Sequence, residues 1–293
     1  MNHAVLALGA SVSMHVGWNL IARRAPQDSW PLWWALLGHL LLFAPWGWWS
    51  LWQEAQASPL LCALAAMSAL ANAIYFIALA QAYERAPISL VYPMVRSSPL
   101  LIALWGQLFL GQTLGAGTWL GLGVSGLGLV VMALSTLGSA GAGASALDQA
   151  AVRKALPWAL LAMLSTSVYS LSDKAATAYL PSTGALLGYV SLSYLCAFAA
   201  LSLRLKRRTG AWRPPRRLPW RLCGLGALCI GWAYVLVVHA MRQMPAAEVV
   251  GYTNAGIVIA TLVGMLVFGE RFRWPVRLGG AVLISAGLAL MAR

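Results

Sequence analysis

Residues 60–83 read LLCALAAMSALANAIYFIALAQAY, a run without a single charged side chain. About 20 predominantly apolar residues suffice for a helix to cross a bilayer, so this stretch predicts a membrane-spanning helix. Working outward from it, nine further apolar segments complete a set of ten, at 3–22, 31–51, 88–110, 115–135, 155–176, 183–203, 220–241, 246–268 and 274–292. Helix-breaking residues separate them: Ala25-Pro26, Ser58-Pro59, Ala86-Pro87, Gly115-Ala116-Gly117, Pro181-Ser182 and Met244-Pro245. The composition agrees. Of 293 residues, 60% are hydrophobic and only 9% charged, against roughly 25% charged in soluble domains, and the mean hydropathy is +0.74. A soluble fold would lack the polar side chains to cover itself. The first apolar run has no basic segment before it, so it reads as a retained helix rather than a cleaved signal.

Residues 137–150, LGSAGAGASALDQA, are small and flexible in composition. With the few residues after them they read as a linker over 137–154, dividing a first five-helix half (1–136) from a second (155–293). The halves look related. Placing Pro87 against Pro245 without gaps also matches Val91 with Val249, Gly106 with Gly264, Gly111 with Gly269 and Gly121 with Gly279. Trp18-Asn19-Leu20 with Arg23 falls opposite Tyr169-Ser170-Leu171 with Lys174. Five helices per repeat force the two halves into opposite orientations. The expected fold is an all-α membrane protein of ten helices in two inverted repeats, an arrangement that in secondary transporters places a substrate site near the midplane.

The net charge of +13 would suggest nucleic acid in a soluble protein. Here the basic residues fall between apolar segments, and no nucleic-acid partner is expected. Sixteen of the twenty Lys and Arg lie after odd-numbered helices, in loops holding Arg23, Arg85, Arg153, the run from Arg204 to Arg221, and Arg271 to Arg277. The opposite side holds Lys174, Arg242 and Arg293. Basic loops mark the cytoplasm, so both termini are expected outside it, in a multi-pass protein of the plasma membrane, the inner membrane of a bacterium. The segment RLKRRTGAWRPPRRLPWR (204–221) is expected to lie on anionic lipids. Glycines crowd helix five (Gly121, Gly123, Gly126, Gly128) and helix ten (Gly279, Gly280, Gly287), which allows close helix contact within one protomer or in a homodimer. Cys62, Cys196, Cys223 and Cys229 read as small buried hydrophobes, and no metal spacing is visible.

The ordered motifs resemble the drug/metabolite transporter superfamily, specifically its EamA type. The resemblance rests on His15-Val16-Gly17-Trp18-Asn19-Leu20 with Arg23 in the first helix, on Ala86-Pro87 to Gly111, on Met244-Pro245 to Gly269-Glu270-Arg271, and on the glycine-rich closing helices. Gly111-Gln112 departs from the pattern, so the acidic-basic pair stands only in the second half, as Glu270-Arg271. The resemblance implies export of amino acids or other small organic metabolites, driven by an ion gradient. Uptake and multidrug export are the alternatives within transport, and a non-transporting receptor or membrane enzyme is the alternative outside it. Seven acidic residues scattered over the chain speak against catalysis, and G-L-G-V-S-G-L-G lacks the strand and Lys-Ser/Thr of a nucleotide loop. Neither a cofactor nor a metal is expected.

The site must come from polar groups inside the bilayer, where a charge at a helix centre costs about 2.5–3.5 kcal/mol. Arg96 stands in the middle of helix four, beside Tyr92 and Pro93 and before Ser97-Ser98-Pro99. The prolines kink the helix, and Arg96 either binds an anionic substrate group in two parallel hydrogen bonds or pairs structurally with Glu248. Glu248, one turn before Tyr252 and near Asn254, is a carboxylate for a proton or an ammonium group, or else a helix-terminus residue. His15, one turn before Trp18 and Asn19, is a second candidate for proton or cation coupling or a structural histidine. Asn72 and Tyr75 form a cavity wall or an interhelical contact, and Tyr169 stacks on substrate or fills the core. Asp173-Lys174 reads as an interfacial pair, His39 as structural, and the tryptophans of helix two as an aromatic belt.

Overall fold

The computed structural model describes residues 3–24, 29–86, 88–135, 145–266 and 273–292, without the side chains of 3, 18–24, 88–90, 145–152 and 264. Among the described residues thirteen α-helices occupy the ten expected segments: α1 (His3–Arg24), α2 (Pro31–Leu42), α3 (Ala44–Glu54), α4 (Pro59–Tyr83), α5 (Ile88–Val95), α6 (Ser98–Leu110), α7 (Ala116–Leu134), α8 (Ser145–Ala176), α9 (Thr183–Thr209), α10 (Trp220–Met241), α11 (Ala246–Tyr252), α12 (Ala255–Leu266) and α13 (Trp274–Met291). Three of the ten segments are therefore broken once. Among the described residues seven spans are long and apolar enough to cross a membrane unaided, and Ala4–Gly17 and Pro31–Leu42 are shorter apolar helices.

The helix ends follow the local chemistry. Ser182 caps α9 by accepting a hydrogen bond from the Ala185 amide at 3.0 Å, and Ser58 does the same for α4 through Leu61 at 3.0 Å. Gly210 ends α9 in the left-handed region (φ 73), where glycine carries no steric penalty. Two boundaries differ from expectation. Helix α8 begins at Ser145, inside the stretch read as a linker, because Ala, Leu, Gln, Arg and Lys dominate 146–156 and all favour helix. Helix α9 runs six residues past 203, carrying Arg204 to Arg208 on its last turns, where cations suit the helix dipole.

The chain forms two compact units, each drawing on both halves of the sequence: Met1–Phe76 with Val168–Met244, and Ile77–Ser167 with Pro245–Arg293. In the first unit α3 crosses α9 where Gly47 meets Gly188, and a Cβ on Gly47 would stand 2.8 Å from the Gly188 amide nitrogen. Its core gathers Trp33, Leu36, Leu186, Tyr189, Tyr194 and Val238. In the second unit α7 packs on α13: a Cβ on Gly121 would lie 2.5 Å from the Gly287 carbonyl oxygen, and one on Gly128 2.7 Å from that of Gly280. The glycine stripes thus close a contact within this chain. Leu129, Met132, Ile257 and Ile284 fill the space beside it.

Two side-chain expectations change. Trp46, Trp49 and Trp52 are exposed, as belt residues are, but Trp33 is buried and donates to Ser202 Oγ at 2.8 Å. Of the cysteines only Cys229 is buried, while Cys62 and Cys196 face out, where a spanning helix meets lipid. His39 is fully buried and hydrogen-bonded to Ser191 Oγ at 2.9 Å, in keeping with a structural part.

Candidate functional site

In the second unit the site is built from two helix breaks. Pro93 and Pro99 each withhold a backbone donor, and α5 gives way to α6 through a turn at Arg96-Ser97. Between α11 and α12 the break has no proline. Gly251, Thr253 and Asn254 are weak helix formers, and the backbone tightens there, Asn254 N donating to Gly251 O (2.9 Å) and Ile257 N to Asn254 O (2.9 Å). These are three-residue rather than four-residue steps. Thr253 Oγ1 donates back to Val250 O at 2.6 Å, a local bond that competes with the helix ladder.

The two breaks fasten each other. Arg96 donates through a terminal guanidinium nitrogen to Thr253 Oγ1 at 2.9 Å, and Asn254 Nδ2 donates to the Arg96 carbonyl at 3.2 Å. The guanidinium also lies over the Tyr92 ring, 5.1 Å from its centre, a cation–π contact. Arg96 and Asn254 occupy equivalent positions when Pro87 is set against Pro245, so the reciprocal bond joins repeat-related residues. A small cavity opens beside them, lined by Arg96, Ser97, Ser125 and Asn254 among apolar neighbours. Ser125 Oγ and Asn254 Oδ1 are buried there and make no hydrogen bond. With Arg96 they give the cavity an acceptor, a hydroxyl and a positive charge.

Glu248 is half-buried one turn before Tyr252 on α11 and accepts from Thr118 Oγ1 at 3.0 Å. Arg96 and Glu248 thus each bond a threonine, Thr253 and Thr118 respectively. Glu270 and Arg271, with Pro87, lie outside the described residues.

The remaining candidates fall in the first unit. Asn72 donates to Ser68 O at 3.2 Å on its own helix, so its amide nitrogen bonds locally rather than across helices. Tyr75 meets Tyr169 edge-on at 5.7 Å, and Tyr169 meets Tyr234 in the same way at 5.5 Å. His15 is half-buried on α1. Trp18 and Asn19 are also on α1, and their side chains lie outside the description.

The expected interfacial pair of Asp173 and Lys174 does not form. Neighbouring helical residues point about 100° apart, and the two go separate ways. Lys174 donates to the carbonyls of Met241 and Met244 (3.2 Å for the latter) at the end of α10. Lys174 thus satisfies acceptors that the end of a helix leaves open, while Arg242 binds the carbonyls of Leu180 and Ser182 (3.0 Å for the latter) before α9. Asp173 turns inward instead: it is 1% exposed and accepts a hydrogen bond from Tyr234 Oη. Sequence reasoning missed this buried carboxylate, and it missed the partner hydroxyls of Thr253 and Thr118.

A sequence model of the EamA-like transporter family matches residues 3–134 and 153–293. No curated protein matches the chain. Solved structures do, among them a crystal structure with a TM-score of 0.69 and 19% sequence identity over 98% of each chain. At that identity the likeness concerns the fold.

Proposed function

The chain belongs to the EamA-like transporter family, membrane transporters of small solutes built from two inverted five-helix repeats, and on that premise we propose that it exports amino acids or amino-acid-like metabolites by secondary, alternating-access transport. The observation that carries this reading is the guanidinium of Arg96, held at the crossing of two helix breaks by Thr253 and Tyr92. Arginine keeps its charge at any working pH and offers five donors, more than one threonine uses. Its planar fork matches the two oxygens of a carboxylate. Glu248 on α11 is the carboxylate proposed for the ammonium end of a small zwitterion, its present partner being the Thr118 hydroxyl. Tyr92, Tyr252 and Asn254 are the further contacts proposed in this unit, and Trp18, Asn19, Asn72, Tyr75 and Tyr169 those in the first. His15 and Glu248 are the proposed partners of the cationic end or of a coupling proton.

The basic segment 204–221 is proposed to rest on anionic lipid of the cytoplasmic leaflet of a bacterial inner membrane, with both termini on the other side. Trp212 and Trp220 are exposed within it, beside Lys206 and Arg221 respectively, as interfacial aromatics are. Reporter fusions after residue 293 check the orientation. Activity confined to the cytoplasm overturns it.

Counterflow of a 14C-labelled mixture of the common amino acids, in liposomes holding the full chain, tests the function. Uptake above empty liposomes is expected, with at least a tenfold loss in Arg96→Ala and partial retention in Arg96→Lys. An Arg96→Ala protein that stays monodisperse and exchanges at the wild-type rate overturns the role of Arg96. Exchange of cationic dyes with none of amino acids overturns the substrate class.

A further inference from the structure

We propose that the carboxyl of Asp173 is a proton-binding site inside the first unit, Oδ1 taking up the proton while Oδ2 keeps its hydrogen bond from Tyr234. Asp173 stands three residues before the last residue of the apolar helix α8 and is 1% exposed. Oδ2 accepts from Tyr234 Oη of α10, and Oδ1 is buried with no hydrogen bond at all. An ionised carboxylate is acceptor-only, whereas its acid form carries a donor on one oxygen and a carbonyl on the other. The two oxygens of Asp173 already differ in that way.

The groups facing the carboxyl are hydroxyls. Ser68 of α4 and Tyr189 of α9 stand around it with Tyr234, and Tyr194 of α9, near enough to feel its charge, donates to Ile230 O at 3.1 Å. On its own helix Tyr169 packs on Tyr234, and Lys174 is bonded to α10 carbonyls. The ring of His39 meets Tyr194 edge-on at 5.3 Å. Among the described residues no cation bonds to Asp173. Burying a lone charge is costly unless it is paired, and a proton is the counter-charge this site can take. Ser68 is hydrogen-bonded in turn to Ser193 Oγ at 3.1 Å, so hydroxyls continue from the carboxyl toward α9. The uptake balances simply: one proton leaves water and binds Oδ1, and the same O–H bond breaks on release. Its use in driving transport rests on the function proposed above, while the proton site itself stands on this geometry.

Infrared difference spectroscopy on the full chain in lipid nanodiscs tests it. Acidification is expected to raise a carboxylic C=O band that shifts in D2O and disappears in Asp173→Asn. Tyr234→Phe is expected to keep the band but move it to higher frequency, because its carbonyl oxygen loses a donor. The wild-type chain labelled with [4-13C]aspartate guards against a variant that fails to fold. Only Asp28 and Asp148 share the label, and Asp28→Asn and Asp148→Asn are expected to leave the shifted band in place. The proposal is overturned if no aspartate band titrates in the wild type, or if the band survives in Asp173→Asn. It is equally overturned if sodium chloride, and not potassium chloride, suppresses the band, which makes the site a sodium site. Counterflow of the amino-acid mixture on the same preparations separates the two claims: counterflow without the band overturns the proton site alone, and the band without counterflow overturns the transport reading alone.

Discussion

In the first unit Asp173 sits on an unbroken stretch of α8 and finds its donor on a neighbouring helix, at Tyr234. In the second, Arg96 sits where α5 gives way to α6 and finds its acceptor where α11 gives way to α12, at Thr253. The chemistry of the two charges explains the contrast. A carboxylate needs donors, and the hydroxyls of intact helices supply them. A guanidinium needs acceptors and has no acceptor of its own, and an intact helix has already committed its carbonyls to the ladder. Breaking two helices against each other releases backbone and side-chain oxygens at the point where the arginine must be held. The arginine, moreover, cannot discharge, whereas the aspartate can.

The contrast assumes that both units stand on equally rigid frames, and that is where the largest effect is expected. Gly47 and Gly188 in the first unit, and Gly121 and Gly287 in the second, bring backbone against backbone. Gly188→Ala and Gly121→Ala each force a helix pair apart, at a cost of about 1–3 kcal/mol or more. Gly123 has nothing within 4 Å of an added Cβ, so Gly123→Ala is expected to change stability by no more than about 0.5 kcal/mol. Thermal unfolding of the purified variants measures all three. If Gly121→Ala behaves like Gly123→Ala, the second unit is not held by its glycine contact and the comparison loses its common footing.

The next effect separates the two charges by pH. Thr253→Val removes an acceptor from a permanent cation, a loss of about 1.5–3 kcal/mol that is expected to be the same at every pH. Tyr234→Phe removes a donor from a carboxylate, with a similar cost while Asp173 is ionised. Once acidification protonates Asp173 the bond is neutral on both sides and is worth about 0.5–1.5 kcal/mol. The penalty of Tyr234→Phe therefore shrinks as pH falls and that of Thr253→Val does not. Unfolding midpoints compared at neutral and acid pH check this. Parallel curves for the two variants would show that Asp173 does not change charge.

How much of this could be read beforehand divides along the same line. The ten spans follow from apolar length alone, and the break in helix four follows from Pro93 and Pro99, since a missing N–H is written in the residue itself. The glycine stripes announced a close contact but not its partner. The break at Thr253-Asn254 carries no proline: its residues are only weak helix formers, and the bonds to Arg96 that accompany it exist only after folding. Asp173 was misread for a related reason. Its place near a helix end and beside a lysine pointed to the interface, yet whether a side chain there turns in or out is settled by what the next helix offers, and Tyr234 lies 61 residues away. Sequence distance hides such partners, while lengths and prolines act locally.

The smallest effect tests which of the two causes holds the arginine's break open. Pro93→Ala gives residue 93 an amide that can donate to the Ser89 carbonyl within α5, a gain of about 0.5–1.5 kcal/mol. It also removes ring carbon from a buried position, at about 0.8 kcal/mol per methylene, so the net change is expected within about 1 kcal/mol. The turn at Arg96-Ser97 is expected to persist, because Pro99 still withholds its donor one turn later and because Thr253 and Asn254 still bind Arg96 from the facing break. Hydrogen–deuterium exchange over residues 92–100 reads this directly. Exchange at the wild-type rate means that the facing break and Pro99 suffice to hold the turn. Protection rising to the level of α7 means instead that Pro93 alone interrupts the helix, and that the reciprocal bonds of Arg96 follow from the break rather than maintain it.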